Sequence, residues 1–326
     1  MKRPISIAIL VLLGCSTTFA QDREKYAVLV KEASNLYESK AYRQSAEKYA
    51  LAFATLGDKG NTMDRYNAAC SWALAKEIDS SFAQLYRIAE KGHYANYGHI
   101  IADTDLSILQ SDQRWKEVLE IVKANKEKAA AKLDQSLVAI LDSIYQEDQG
   151  LRKQINEVEV KYGRDSKEMT AHWETIAEKD AINLIKIKNI LDEYGWLGPE
   201  IVGTQGNSTL FLVIQHADLP VQEKYLPMMR EAVTKGDARP SSLALLEDRV
   251  ALRQGKRQIY GSQIGRDQET GEYFVSPLDD PGNVDKRRAE VGLGALQDYV
   301  SNWNIIWDVE KYIKQLPALE AELDKN

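Results

Sequence analysis

The feature that most constrains the fold is a succession of helical hydrophobic patterns over almost the whole chain. Apolar residues recur every three or four positions, as expected for helices that bury one face. One short segment, near 257–278, reads instead as a small β-hairpin with its turn near Gly271. Strand and helix patterns do not alternate, and GxGxxG and GxSxG motifs are missing, which argues against Rossmann, P-loop and α/β-hydrolase folds. We therefore predict a mainly α-helical protein with one small β-hairpin.

The first twenty residues have the pattern of a secretory signal peptide. Lys2 and Arg3 precede an apolar segment at 5–13, and a small-residue cleavage site ends at Ala20. The apolar segment is too short to span a bilayer, so no transmembrane span is predicted. In a second interpretation, LLGC is a lipoprotein box and Cys15 becomes a lipid-anchored N-terminus. Both interpretations predict an exported protein, either periplasmic or extracellular, or held in the cell envelope as a lipoprotein.

Charge and cysteine content narrow the classes of partner and site. The formal net charge of −7 argues against nucleic acid or an anionic membrane as the main partner. After cleavage at Ala20 only Cys70 remains, so an intrachain disulfide is excluded. The four histidines show no HExxH or HxH spacing, and no metal site is predicted, although Asp148, Asp180 and His216 have suitable side chains. The sequence identifies no cofactor.

Residues 21–125 contain paired helical patterns with small residues at regular positions. Ala33, Ser45 and Ala52 lie between aromatic residues, and a second pair of the same character follows. Small residues allow two helices to approach closely as an antiparallel pair, and the spacing resembles that of tetratricopeptide repeats. Such repeats present concave surfaces, so this resemblance implies a protein or peptide partner. A helical connector is predicted at 126–135.

A second domain, predicted at 136–326, opens with two long helical patterns at about 133–161 and 166–193. The next fourteen residues, from Gly195, are rich in glycine and proline and are predicted to be irregular. Ser208 is then expected to cap the helix that ends in the apolar run before His216.

Charged residues lie on the apolar faces of these helices. At 100° per residue, Asp148 and Asp180 each fall about 20° from the centre of an apolar stripe. Arg152 lies at the edge of the first stripe, and Arg249 lies within the apolar arc of a later helix. A buried carboxylate costs several kcal/mol unless it is paired or protonated. We therefore predict that the two carboxylates lie close together, within reach of Arg249 or His216.

Two interpretations of these polar residues stay open at this stage. The carboxylates either form an internal ion-pair network or converge in a cleft. His216 is either bonded to a main-chain carbonyl in the core or carried into a polar site. We predict that His216 belongs to a site and that Arg249 forms a structural ion pair.

Six motifs, DQGLR, GW, VIQHAD, LEDRV, QIYGSQ and VDKRRAEVGL, occur in this order in the second domain. Together they resemble a bacterial domain of unknown function, number 6624, over roughly residues 136–305, and the resemblance implies no particular activity. It places ten polar residues at signature positions, several of which the helical projection also selects. We predict catalytic roles for Asp148, Asp180 and His216, and ligand-binding roles for Gln149, Arg152, Gln215, Asp248, Arg249, Gln258, Tyr260 and Arg288.

Three functions fit these features. The first is an exported envelope protein whose repeat segment binds a partner and whose second domain binds a polar ligand. The second is an exported hydrolase, in which Asp148 or Asp180 acts with His216 as acid and base and Arg152 or Arg249 holds an anionic group. The third is a structural domain with an internal ion-pair network. The first ranks ahead because repeat segments normally bind and no nucleophile motif is present.

Overall fold

A computed structural model describes residues 9–267 and 270–323 of the chain. It is 74% helical, and its described part holds 15 α-helices and a single two-stranded antiparallel sheet. The predicted fold class is confirmed. The chain divides into two compact units, Met1–Ala131 and Lys132–Asn326, here called unit 1 and unit 2.

Unit 1 consists of helices that follow one another along the chain. Consecutive helices pack as pairs around buried alanines and aromatic rings. The predicted signal peptide falls on residues 1–8, which lie outside the described residues, and on residues 9–20, whose side chains are not described. No helix in the described part is long and apolar enough to cross a membrane. The helices are α1 (Ile9–Glu38), α2 (Tyr42–Thr55), α3 (Thr62–Leu74), α4 (Ile78–Glu90), α5 (Tyr97–Ala102) and α6 (Gln113–Ala130).

The first two helix pairs make equivalent contacts 36 residues apart. In the first pair, Ser45 Oγ donates to the carbonyl oxygen of Ala33 at 2.8 Å. In the second, Ser81 Oγ donates to the carbonyl oxygen of Ala69 at 2.7 Å. A non-glycine residue with positive φ occupies the turn within each pair, Lys40 (62°) and Lys76 (64°). The two pairs are therefore copies of one local structure.

Unit 2 begins with six helices and ends with the hairpin and three further helices. In the hairpin, Ile264 is paired with Val275 and Arg266 with Tyr273, so the predicted hairpin is confirmed. The elements are α7 (Gln135–Arg152), α8 (Ile155–Tyr162), α9 (Lys167–Tyr194), α10 (Pro199–His216), α11 (Leu219–Lys235), α12 (Pro240–Arg253), β1 (Ile264–Arg266), β2 (Tyr273–Val275), α13 (Val284–Glu290), α14 (Leu296–Val300) and α15 (Val309–Leu323).

The main core of unit 2 lies between α7, α9, α10, α11 and α12. Leu141, Ile187, Leu210 and Met229 are fully buried there. Each such side chain contributes about 1.5–3 kcal/mol by leaving water. Because α10 is buried between its neighbours, the position of its last residue, His216, is fixed by the core.

The segment from Gly195 to Ser208 was predicted to be irregular, and this prediction is wrong. Pro199 begins α10, since proline at the first helical position lacks only an N–H that would have no partner there. The helix bends at Gly203, whose φ of 71° is a left-handed conformation that glycine adopts without strain. Ser208 is no cap: it lies within the helix, and its hydroxyl donates to the Thr204 carbonyl at 2.9 Å.

The prediction of one helix over 133–161 is wrong as well. The segment forms two helices, α7 and α8, which are separated at Lys153 and Gln154. This break shortens the partner of α9. Trp173, in the N-terminal part of α9, is 48% exposed, although this part of the helix still reaches α7 through the hydrogen bond between His172 and the Leu151 carbonyl.

Candidate functional site

Three helices of unit 2 bring together the three residues predicted to be catalytic. With Gln149, Arg152 and the side chains that hold the end of α10, these three residues are called the first cluster. Asp148 lies near the end of α7, Asp180 in the middle of α9, and His216 is the last residue of α10. One carboxylate oxygen of each aspartate and one ring nitrogen of His216 all lie within 4.8 Å of one another. The apolar stripes of α7 and α9 face the same core, and Asp148 and Asp180 are linked there through Arg152.

Asp148 is buried, with only 2% of its side chain exposed, and each of its oxygens has a donor. Oδ1 accepts from His216 Nδ1 at 3.0 Å and from Arg152 Nη1 at 3.2 Å, and Oδ2 accepts from Gln149 Nε2 at 2.6 Å. Burial raises the pKa of Asp148. The hydrogen bond and charge of His216, together with Gln149 and Arg152, lower the pKa by more than burial raises it. The net pKa is below the ordinary value, so the group is a carboxylate near neutral pH.

Arg152 joins the two carboxylates. Its Nη1 and Nη2 donate to Oδ1 and Oδ2 of Asp180 at 2.9 and 2.6 Å, a bidentate pair, and its Nη1 also reaches the main-chain oxygen of Asp148 at 2.9 Å. The positive charge of Arg152 is thus offset by two negative charges. A metal ion bound by Asp148, Asp180 and His216 would have to displace this guanidinium.

His216 has one ring nitrogen engaged and the other open. An ionised carboxylate only accepts hydrogen bonds, so Nδ1 of His216 carries the proton that is donated to Asp148. The lone pair of the neutral ring is then on Nε2, which has no protein partner in the described part of unit 2, and the side chain is 19% exposed. A buried carboxylate that orients an imidazole in this way is the arrangement of a general base.

The end of α10 is held by side chains from α11 and α12. The carbonyl oxygen of Gln215 accepts from Arg249 Nη1 at 2.8 Å and from Gln222 Nε2 at 2.9 Å. The carbonyl oxygen of Ala217 accepts from Arg253 Nη1 at 2.6 Å. These bonds satisfy carbonyls at the helix terminus and place cations at the negative end of its dipole. The carbonyls on either side of His216 are thus held in place, and this positions His216.

The structural ion pair predicted for Arg249 is wrong. No carboxylate in the described residues pairs with it, and its Nε donates instead to Gln263 Oε1 at 2.9 Å. Burial lowers the pKa of Arg249 to about 10, and the like charges of Arg253 and Arg152 act in the same direction. Helical projection placed Arg249 on the correct face but could not show that α12 sets it against carbonyls at the end of α10.

A second polar cluster of unit 2 surrounds Asp248, which is fully buried. Its oxygens accept main-chain N–H groups of Ile259 at 2.7 Å, Tyr260 at 3.0 Å and Ser262 at 2.9 Å. Burial raises the pKa of Asp248, against the lowering effect of these backbone donors. The carboxylate therefore fixes the loop that leads into the hairpin.

Gln258 and Arg288 complete this second cluster. The Gln258 side chain donates to two main-chain carbonyls and accepts from the Gln263 N–H at 2.8 Å. Arg288, 2% exposed, donates to the Tyr260 carbonyl at 2.7 Å and to that of Gly294 at 2.6 Å. Asp248, Gln258, Arg288 and the main chain of Tyr260 thus form one set of contacts with the backbone, whereas their ligand-binding roles stay predictions.

Some residues of the first cluster were not singled out by sequence reasoning. Gln263, which bridges to Arg249, ends the QIYGSQ motif, and its place there was a usable signal. Gln222 lies on α11 without any such signal. Asn183 lies on α9 one turn beyond Asp180 and is fully buried, and neither of its amide atoms has a hydrogen-bond partner among the described residues. Such an orphaned amide next to a polar cluster is typical of a position that contacts water or a ligand.

A cavity of about 740 Å³ lies apart from both clusters, between β2 and α15. Its lining includes Tyr273, Trp303 and Trp307, and none of the predicted site residues lines it. The candidate site is therefore defined by the convergence of side chains and not by this cavity.

Comparison with known proteins identifies the family of this domain. The model of a family of unknown function, DUF6624, matches residues 131–309, which include both polar clusters and more than half of the chain. No curated protein and no solved structure matches. The chain therefore belongs to the DUF6624 family, as the order of its motifs predicted.

Proposed function

We propose that unit 2 carries out hydrolysis with His216 as general base and general acid and Asp148 as its orienting carboxylate. Of the three functions inferred from the sequence, this is the second, and one observation favours it. Nδ1 of His216 lies 3.0 Å from the buried Oδ1 of Asp148, while Nε2 has no hydrogen-bond partner among the described residues.

The chemistry needs no protein nucleophile. Nε2 of His216 takes a proton from water as the water oxygen attacks an electrophilic centre, and the resulting imidazolium is stabilised by the charge of Asp148. When the bond to the leaving group breaks, the same nitrogen returns the proton to that group. The proton count is balanced, and the lack of a GxSxG motif in the sequence is consistent with this route.

Asp180 and Arg152 act as positioning residues in this proposal. Asp180 holds Arg152 through two hydrogen bonds, and Arg152 holds the carboxylate and the carbonyl of Asp148. This chain of contacts fixes the carboxylate against the imidazole. The catalytic role predicted for Asp180 is thereby replaced by a role through Arg152.

The test compares two histidines of unit 2. The full chain is assayed against chromogenic carboxylic esters, phosphoesters and glycosides, together with His216→Gln and the control His172→Gln. His172 is partly buried and its Nε2 is already engaged with the Leu151 carbonyl at 2.9 Å. We expect His216→Gln to lower turnover by about 10²–10⁴-fold and His172→Gln to leave it unchanged. Equal activity of wild type and His216→Gln would refute the proposal.

A second test is independent of the substrate. Nitrogen NMR of the imidazole rings reports which nitrogen carries the proton in the neutral form. We expect Nδ1 of His216 to be protonated in the wild type, because Asp148 accepts its hydrogen bond. A neutral ring protonated on Nε2 would remove the base from the proposed mechanism.

We also propose that unit 1 binds a protein segment or peptide as a tetratricopeptide-like repeat. The support is the equivalence of the two helix pairs 36 residues apart, close to the period of about 34 residues for that repeat. Immobilised full chain should capture helical peptides in proportion to added peptide, and replacing the buried Ala33 or Ala69 by leucine should abolish capture by separating the helices.

Export is proposed on the sequence of the first twenty residues. The intact mass of the protein recovered from its native cell should correspond to a chain beginning at Gln21, or to a lipid-modified chain beginning at Cys15 if the alternative holds. A chain that retains Met1 and the apolar segment would contradict both.

A further inference from the structure

Two arginines close to the end of α10, Arg152 and Arg249, differ in how their charges are balanced. Arg152 is paired with both Asp148 and Asp180. Arg249 has no carboxylate partner in the described residues. A guanidinium has five N–H groups, and Arg249 uses one on Gln263 Oε1 and one on the Gln215 carbonyl. Three N–H groups of Arg249 therefore have no acceptor among the residues that the structure describes.

An unbalanced, partly buried cation is costly. Charges removed from water without a counter-charge destabilise the folded state by several kcal/mol. The neighbouring charges that oppose ionisation of Arg249 are Arg253 and Arg152, both positive, and burial adds to their effect by lowering its pKa to about 10. A bound anion would supply the missing counter-charge.

Capping of α10 does not account for this arginine. The Gln215 carbonyl already accepts from the neutral amide of Gln222 at 2.9 Å. The Ala217 carbonyl, which follows the helix end, accepts from Arg253 at 2.6 Å. The helix end would be satisfied without the charge of Arg249.

A buried acceptor lies on the residue whose main-chain carbonyl Arg249 holds, Gln215. The amide nitrogen of Gln215 donates to the carbonyl of Leu245, which is one turn before Arg249 on α12, at 3.3 Å. The amide oxygen of Gln215 is then left buried with no donor, on a residue only 4% exposed. The site thus offers cationic donors and one acceptor, which suits an oxyanion that also carries an O–H or N–H.

We propose that Arg249 is the anion-binding residue of the His216 site, and that the substrate carries a carboxylate or phosphate group with a hydrogen-bond donor close to it. The inference rests on the proposed function and names its substrate class. An anion held at Arg249 lies next to the Gln215–His216 peptide, so the bond to be hydrolysed is close to the anionic group. Carboxylate and phosphate share the bidentate geometry that a guanidinium recognises.

The experiment titrates the full chain with acetate, glycine and inorganic phosphate at constant ionic strength, and follows binding by calorimetry and by thermal stabilisation. Acetate and phosphate separate the two sources of the anion, and glycine adds an N–H donor to the carboxylate. We expect saturable binding of at least one probe by the wild type. Arg249→Gln should weaken it at least about tenfold, as loss of a charged hydrogen-bonding group does.

The matched control is Arg239→Gln, which removes an exposed arginine at the other end of α12 and should change affinity by less than about twofold. His216→Gln should keep anion binding, so loss of hydrolysis with intact binding is a result for the proposed function and not for this site. If Arg249→Gln does not fold, Arg249→Lys replaces it and is expected to bind more weakly, since lysine lacks the planar fork.

Three results would overturn the proposal. They are the lack of saturable binding of any probe by the wild type, an equal loss of affinity in Arg239→Gln and Arg249→Gln, and wild-type affinity in the Arg249 variants.

Discussion

Two buried aspartates of unit 2, Asp148 and Asp248, are satisfied in different ways. The partners of Asp148 are side chains, among them Arg152 and an imidazole, His216, that keeps one nitrogen open. The partners of Asp248 are the main-chain N–H groups of the loop 259–262. Main-chain partners cannot leave without unfolding the loop, whereas side-chain partners can exchange protons and meet a ligand. In our proposal the first aspartate belongs to a site, whereas the second holds a loop of the scaffold in place.

The largest expected effect is a loss of stability when Asp248 is replaced. Asp248→Ala leaves several buried N–H groups without an acceptor, and we expect the free energy of unfolding to fall by about 4 kcal/mol. Urea unfolding of the full chain, followed by circular dichroism, measures the loss. The control is Asp218→Ala, which removes an exposed helix cap, that of α11, and should cost about 1 kcal/mol. Equal losses would mean that Asp248 is not a scaffold residue.

Arg152→Leu tests the link between the two site carboxylates. It leaves Asp148 and Asp180 without their shared cation, so we expect a loss of about 3 kcal/mol at neutral pH. Asp180 is more exposed than Asp148 and should tolerate the change better. The double variant Arg152→Leu/Asp180→Leu should recover part of the lost stability, because the unpaired carboxylate of Asp180 is removed as well. A double variant less stable than the single one would show that Asp180 has another partner.

The pH dependence of stability isolates Asp148. Its folded pKa is lowered, so the stability that it contributes is complete above the unfolded pKa and is lost as the pH falls through the folded pKa. Asp148→Asn should therefore cost about 1–2 kcal/mol at neutral pH and progressively less in acid. Denaturation curves measured from neutral to strongly acidic pH give this profile. A cost that does not shrink in acid would contradict the assignment of a carboxylate.

Helical projection predicted the first cluster because its residues lie on regular helices. The stripes of α7 and α9 determine which residues face the core, and Asp148 and Asp180 follow from that periodicity alone. Projection does not give depth or long-range pairing, so it selected Arg249 but assigned it the wrong partner. The role of Gly203 as a bend within α10 was likewise hidden, since a glycine-rich segment has the same composition in a loop and in a bent helix.

The second cluster was predicted only as a set of residues and not as a structure. Asp248, Gln258 and Arg288 were found by their places in the motifs. Their partners are main-chain groups of an irregular loop, which has no periodicity from which a contact can be inferred. The sequence therefore grouped scaffold residues with site residues.

The most direct measurement is the free energy of unfolding of His216→Gln. If His216 belongs to an open site, Asp148 keeps Arg152 and Gln149 as donors and the change should be below about 1 kcal/mol, while hydrolysis is lost. A loss of stability above about 2 kcal/mol, similar to that of a buried scaffold residue, would show that His216 is part of the internal network and would contradict the site.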